Sequence, residues 1–209
     1  MPIIHDVEQK SPEWHNLRMG RPTASSFDKL ITTTGKPSKS LSGYAIHLAA
    51  ELYIGRPVHM WAGNAWSERG KELEDHAVRL YEFATDADVR KVGFVTTDDG
   101  AVGASPDGLI GDDGMIEVKC LSVDNHIAAI LHYKETGTAP ADYIQQTQGQ
   151  MMICERAWCD LVFYSPDLPL LTIRQTPIEH IVGPLKAQIP AVIAERDSVL
   201  ATLRSISKE

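Results

Sequence analysis

The sequence predicts an α/β fold in which helices flank a mixed central β-sheet. Helical periodicity precedes a group of short strands in the middle of the chain, and further helices and strands follow them. That order of elements is typical of helices packed on the faces of a sheet. At 209 residues and 23.0 kDa, the chain is predicted to be a single domain over 1–209, with a helical amino-terminal part over about 11–83 and a carboxy-terminal helix over about 177–207.

The composition is that of a soluble globular protein, with 43% hydrophobic and 23% charged residues. No apolar run is long enough for a membrane span, and the amino terminus lacks the pattern of a secretory signal, so we expect a cytoplasmic protein that does not contact membranes. The three cysteines show no zinc-finger spacing. A net charge of −8 disfavours a protein that simply coats nucleic acid, although an enzyme with a local basic groove remains compatible with it.

The amino-terminal part is predicted to contain four helices. The first covers 11–20 and stops at Gly20, and a capping-box pattern starts the second at Ser25. The other two are apolar-periodic stretches over 42–54 and 68–83, which lie before and after an irregular aromatic loop. Ser25 at a helix start, with Arg18 opposite, could bind an anion; as ordinary structure, they are a cap and a solvated side chain.

The aromatic loop covers 60–66, and we expect its tryptophans to pack structurally rather than stack on a base. Residues 89–97, 101–104 and the hairpin after them predict three sequential antiparallel strands. Later elements are predicted as helices over 122–133 and 140–155, strands over 157–166 and 170–176, and the carboxy-terminal helix, which Pro184 and Pro190 should break or kink.

The central hairpin carries the clearest chemical signal. Asp107 precedes a turn over 111–114, and in the returning strand over 115–120 Glu117 and Lys119 share one face because side chains alternate along a strand. Two carboxylates beside a lysine suit Mg²⁺ or Mn²⁺, with the lysine able to orient or deprotonate a metal-bound water. The alternative interpretation is a surface hairpin with an ordinary ion pair, since such short patterns recur by chance.

Several motifs in order resemble one known family. Residues 104–108 and 116–120 resemble the PD-(D/E)xK, or restriction-endonuclease-like, nuclease core, in the version found in phage lambda-type alkaline exonucleases, also called YqaJ-like viral recombinase nucleases. Residues 14–25 resemble the amino-terminal motif of that family, 70–74 its first motif helix and 143–151 its glutamine motif.

The resemblance implies roles for individual residues. Its catalytic set falls on Asp107, Glu117, Lys119, Glu74 and Gln148, although Gln146 matches the glutamine motif equally and our preference for Gln148 leaves that choice open. The metal ligands fall on Asp107, Glu117 and Val118, and the 5′-phosphate contacts on Arg18, Ser25 and His126. His126 is included as a substitute, because 122–126 contains no arginine or lysine where the lambda-type enzymes can present an arginine.

The same resemblance implies an activity and partners. It predicts a processive 5′→3′ exonuclease that requires Mg²⁺ (or Mn²⁺), degrades one strand of linear double-stranded DNA and leaves 3′ single-stranded tails for annealing-type recombination. It also predicts a ring-shaped homotrimer and a single-strand annealing protein as partner. Two alternatives are a restriction- or repair-type endonuclease with the same catalytic core and a silent DNA-binding module.

Overall fold

The computed structural model describes residues 1–58 and 65–206. The helices are α1 Pro12–Arg18, α2 Leu41–Ile54, α3 Ala65–Thr85, α4 Val123–Thr136, α5 Ile144–Cys154 and α6 Glu179–Ile206, with 3₁₀ helices at Ala24–Lys29 and Ala141–Tyr143. The strands are β1 Ile3–His5, β2 Val89–Arg90, β3 Phe94–Thr96, β4 Gly103–Ala104, β5 Gly108–Ile110, β6 Gly114–Cys120, β7 Trp158–Tyr164 and β8 Leu171–Gln175.

A five-stranded mixed sheet forms the centre of the fold, in the order β2-β5-β6-β7-β8. β6 and β7 are parallel, with Lys119 opposite Phe163, and the other neighbours are antiparallel. The crossover between the parallel strands consists of α4, the second 3₁₀ helix and α5. This architecture confirms the predicted α/β class with helices flanking a mixed sheet.

The strand predicted over 89–97 is split between two sheets, so the prediction of three sequential antiparallel strands was wrong. β2 pairs with β5 in the central sheet, whereas β3 pairs with β4 and with the unpredicted β1 in a second, three-stranded sheet. Gly93 lies between β2 and β3, where the chain passes from one sheet to the other. A Cβ atom at this position would stand 1.8 Å from the carbonyl oxygen of Val7. The amino-terminal segment therefore packs against the chain where it passes from one sheet to the other.

Strand β6 has helices on both faces. Ile116 and Val118 pack in a cluster with Ala77 and Tyr81 of α3. Met115, on the opposite face, belongs to the main core cluster together with residues of the first 3₁₀ helix, α2, α5 and α6. Because the side-chain period of a strand is two, Glu117 and Lys119 lie on the Met115 face, which α5 covers.

The other helices and strands agree with the sequence-based predictions, apart from local differences. Ser25 lies inside the 3₁₀ helix Ala24–Lys29, which begins after Thr23 without a side-chain cap, so the capping-box prediction was wrong. Helix α6 continues past Pro184 and Pro190, because buried residues along it anchor it to the core and offset the lost helical hydrogen bonds. Of the predicted aromatic loop, residues 60–64 lie outside the described residues, as does the end of the chain from 207.

None of the helices in the described part of the chain combines the length and apolar character needed to cross a membrane.

Candidate active site

The β5–β6 hairpin places the Asp107 carboxylate against the edge of β6. The amide of Asp107 donates to the carbonyl of Ile116 at 3.2 Å, and the amide of Val118 donates to Asp107 Oδ2 at 2.6 Å. In a strand, the N–H and C=O groups of one residue point toward the same edge. The carbonyl oxygen of Val118 therefore faces the side of β6 on which the Asp107 carboxylate lies.

Glu117 is only 4% exposed and is held by three side-chain donors. Its Oε1 accepts from Lys119 Nζ at 2.8 Å and from Gln146 Nε2 at 2.5 Å, and its Oε2 accepts from Gln150 Nε2 at 2.8 Å. Lys119 Nζ also donates to Gln146 Oε1 at 2.9 Å. This network fixes the position of the carboxylate and of the ammonium group beside it.

The site concentrates negative charge in a buried place. Burial and the nearby Glu117 and Glu74 carboxylates raise the pKa of Asp107 well above its ordinary value. Burial also raises the pKa of Glu74, and the charge of Lys10 opposes that shift. For Lys119, burial favours the neutral amine, but the neighbouring Glu117 outweighs it, and the pKa of Lys119 lies above its ordinary value. The carboxylates thus require a proton or a cation, while Lys119 keeps its charge.

The residues present fit a divalent cation. Carboxylate oxygens of Asp107 and Glu117 and the carbonyl oxygen of Val118 are hard ligands of the kind that Mg²⁺ prefers. Among the side chains that the structure describes, those of 1–58, 70 and 72–206, no group of three or more acidic, histidine or cysteine side chains is placed to hold a metal ion by itself. A partial ligand set is compatible with Mg²⁺ because this ion usually keeps several waters and takes substrate phosphate oxygens as ligands.

A cavity of about 420 Å³ opens beside Asp107 and Glu74, and part of its wall comes from the segment before α1. Within this wall, Gln9 Nε2 donates to the carbonyls of Val92 and Pro106, both at 3.0 Å. Gln9 therefore ties the segment before α1 to the residue preceding Asp107. Sequence reasoning missed this contact because no local pattern connects a loop glutamine with a strand about 100 residues later.

Arg18 and Ser25 come together in a second cluster. Arg18 Nη2 donates to Ser25 Oγ at 3.0 Å and to Thr23 Oγ1 at 3.2 Å, and its guanidinium group stacks 4.2 Å from the centre of the Trp14 ring. Within the described residues, no carboxylate lies within ion-pair distance of Arg18. Burial lowers the pKa of Arg18, and the charges of Tyr44 and Glu51 oppose that shift. A guanidinium group remains charged in proteins, so the cluster offers a cation, partly balanced by Glu51, to an anionic ligand.

A direct contact links the two clusters. Trp14 Nε1 donates to Ser105 Oγ at 2.8 Å, and Ser105 lies two residues before Asp107. The tryptophan that supports Arg18 is therefore anchored to the segment between β4 and β5 that carries the first carboxylate. Ser105 was not among the predicted site residues, although its place in the same motif as Asp107 was the available signal.

Two predicted residues lie elsewhere. Gln148 is fully buried, donates to the carbonyl of Thr176 at 3.0 Å and accepts from the amide of Ile178 at 2.7 Å. The structure thus places Gln146, rather than the preferred Gln148, at Glu117. His126 has no exposed surface, and its Nε2 lies 2.9 Å from the carbonyl oxygen of Pro169, so this placement does not support a role in binding phosphate.

Gln150 is a site residue that sequence reasoning did not select. It follows Gln146 by one helical turn, and residues at this spacing share a face of a helix. The spacing was therefore the signal that separates Gln146 and Gln150 from Gln148. What the sequence could not show is which face of α5 meets β6.

Comparison with known proteins identifies the family and the fold. Residues 13–157 match the YqaJ-like viral recombinase domain. A search of curated proteins finds no significant match. Among solved structures, the alkaline exonuclease LHK-Exo of Laribacter hongkongensis is 30% identical, with a TM-score of 0.80 over 95% of this chain and 98% of that one.

Two further structures extend the comparison. LHK-Exo in complex with dAMP aligns with 32% identity and a TM-score of 0.80 over 95% of this chain and 99% of that one. A phage-related exonuclease of Haemophilus somnus, 17% identical with a TM-score of 0.67 over 90% and 99% of the chains, shares the fold. The chain therefore belongs to the YqaJ-like viral recombinase family and has the PD-(D/E)xK nuclease fold that its motifs predicted.

Proposed function

We propose that this protein is a DNA exonuclease that requires Mg²⁺ or Mn²⁺ and degrades one strand of linear duplex DNA in the 5′→3′ direction. The observation that carries the proposal is the Trp14–Ser105 contact, which joins the Arg18 cluster to the segment between β4 and β5 that contains Asp107. This contact supports a cationic pocket for a terminal phosphate near the carboxylates that suit a metal. Family membership and the exonuclease activity named for LHK-Exo, which was solved with the nucleotide dAMP, support the same conclusion.

Each site residue has a chemical role in this proposal. Asp107, Glu117 and the carbonyl of Val118 would hold the cation, which would polarise the scissile phosphate when bound. Lys119 Nζ, held by Glu117 and Gln146, would orient the attacking water and stabilise the negative charge that develops during hydrolysis. Glu74 adds a carboxylate beside Asp107 at the cavity, and Arg18 and Ser25 would bind the 5′-terminal phosphate.

We extend the proposal to the assembly. A homotrimeric ring would enclose the duplex, allow processive digestion and leave 3′ single-stranded tails for a single-strand annealing protein. The proposed setting is the cytoplasm of a bacterium or of a phage-infected host, with the chain acting as a single nuclease domain.

Digestion of labelled DNA tests the activity. Linear duplex labelled on one strand should release nucleotides from the 5′ end in Mg²⁺ and remain intact in excess EDTA. Covalently closed circular DNA should persist, since it has no end. Asp107→Asn, which keeps the side-chain shape but removes the charge, serves as the inactive control. Efficient nicking of the closed circle would instead support an endonuclease, and cleavage that persists in EDTA would exclude the proposed metal site.

A further inference from the structure

The Glu117 carboxylate can be examined oxygen by oxygen. Each oxygen offers about two lone-pair positions to donors or metal ions. Oε1 already accepts from Lys119 Nζ and Gln146 Nε2, so both of its positions are occupied. Within the described part of the chain, Oε2 accepts from Gln150 Nε2 alone, at 2.8 Å. One position therefore remains for a cation, and it lies on Oε2, the oxygen that Gln150 holds.

The orientation of the Gln150 amide follows from the same contact. A carboxylate only accepts hydrogen bonds, so the NH₂ end of the amide must face Glu117. Gln150 is 1% exposed, and its Oε1 has no hydrogen-bond partner within the described part of the protein. Leaving a buried amide oxygen unpaired costs free energy. The shorter of the two hydrogen bonds of the Gln150 amide is the one to the Glu117 carboxylate. The other, to the carbonyl oxygen of Ser105, is long at 3.5 Å.

We infer that Gln150 is a positioning residue that makes Glu117 Oε2 the metal-binding oxygen. Without this donor, the Oε2 end of the carboxylate would be fixed only through the Oε1 contacts and could change its orientation. Residues that orient a metal ligand in this way typically change metal affinity by about 10–100-fold when they are replaced. The inference rests on the proposed metal-dependent function and assigns a role to a glutamine outside the predicted site.

Metal binding without DNA tests this role. We compare Gln150→Met, which removes the donor and keeps an unbranched side chain, with the matched control Gln148→Met on the same helix. Titration calorimetry with Mn²⁺ alone should show a roughly tenfold or greater loss of affinity in Gln150→Met. Gln148→Met should bind Mn²⁺ as the unmodified protein does, because its contacts are to Thr176 and Ile178.

A second variant and a kinetic measurement complete the test. Gln150→Asn keeps the amide group on a side chain that is shorter by one methylene, so we expect a similar loss of Mn²⁺ affinity. This variant tests the role if the methionine variant folds poorly. Thermal melting in EDTA measures folding of both variants. In nuclease assays, Gln150→Met should raise the Mn²⁺ concentration for half-maximal rate by a larger factor than it lowers the rate at saturating Mn²⁺. Gln146→Met should show the reverse, because Gln146 also holds Lys119.

The outcomes separate this inference from the proposed function. Unchanged Mn²⁺ affinity in a folded Gln150 variant overturns the positioning role, as do equal losses in the Gln150→Met and Gln148→Met proteins. An unmodified protein that binds Mn²⁺ in a Gln150-dependent manner but degrades no DNA supports the positioning role and refutes the proposed nuclease activity. A protein that binds no Mn²⁺ overturns both.

Discussion

At the scale of single residues, Lys119 is the group for which geometry gives the clearest chemical expectation. Its ammonium is half enclosed between Glu117 and Gln146, and the carboxylates keep it charged. Lys119→Met retains most of the side-chain length but removes the charge and the donors. We expect the single-turnover cleavage rate at saturating metal to fall about 10²–10⁴-fold, the range for a lost proton-transfer group.

DNA binding measured in Ca²⁺ should persist in the Lys119→Met protein, because the Arg18 cluster is untouched. A near-normal cleavage rate would show that Lys119 is only an ion-pair partner of Glu117.

Asp107 predicts how stability depends on pH in the metal-free protein. Its pKa is higher in the folded chain than the ordinary value of 3.8, so the folded state binds this proton more tightly than the unfolded state. The resulting stabilisation is fully present below pH 3.8 and is lost as the pH rises through the folded-state pKa. In EDTA, Asp107→Asn should therefore weaken the decline in unfolding free energy with rising pH, measured by urea denaturation at a series of pH values.

Glu74 shifts in the same direction and will leave a residual slope in the Asp107→Asn protein. If the free energy of unfolding depended on pH in the same way in the two proteins, the pKa of Asp107 would not be raised in the folded state.

At the scale of elements, one face of helix α5 contributes side chains to the candidate site, and another face contributes to the stability of the fold. Gly149 allows this helix to approach the first 3₁₀ helix, since a Cβ atom there would stand 2.3 Å from the Phe27 ring. One face then presents Gln146 and Gln150 to β6, while Gln148 bonds the segment that leads into α6. Gln148→Met should lower the free energy of unfolding by about 1–3 kcal/mol, because it leaves a buried amide and carbonyl unpaired.

Urea denaturation in EDTA measures this loss. Equal stability of the Gln148→Met and unmodified proteins would show that water or a shifted backbone satisfies Thr176 and Ile178.

Helix α1 and the first 3₁₀ helix together form the proposed end-binding pocket. A terminal phosphate carries more charge than an internal diester, so Arg18 and the hydroxyl groups around it should favour phosphorylated ends. We expect 5′-phosphorylated duplex to be degraded about tenfold faster than the 5′-hydroxyl form, which corresponds to about 1.4 kcal/mol. Arg18→Ala should remove most of this preference in a competition assay and retain hydrolysis of both substrates.

We expect only a moderate preference for 5′-phosphorylated ends, because the buried His126 contacts the carbonyl of Pro169 and does not supply a second basic contact to the phosphate. Identical rates on the two ends in the unmodified enzyme would remove the phosphate pocket from the proposed function.

At the scale of the whole molecule, an overall charge of −8 does not provide general affinity for DNA. In the proposed ring, sustained contact with the duplex would come from the site and from enclosure. Sedimentation at assay concentrations should reveal a species three times the mass of the 23.0 kDa chain. Once digestion has begun, excess unlabelled DNA should not stop it. A monomer that is stopped at once by the competitor would contradict the ring and its processivity.

The sequence by itself determined the fold class, the placement of the carboxylates and the lysine at the hairpin, and the family. These depend on local signals. Side chains alternate along a strand, so Glu117 and Lys119 lie on one face of β6, and the turn before β6 brings that strand back beside Asp107. Only the tertiary structure decided which face of α5 meets β6, because the helix is polar on several sides and its approach is set by distant packing. It likewise decided that residues 89–97 divide between two sheets, since β1 and the segment around Val7 occupy the space that one continuous strand would need.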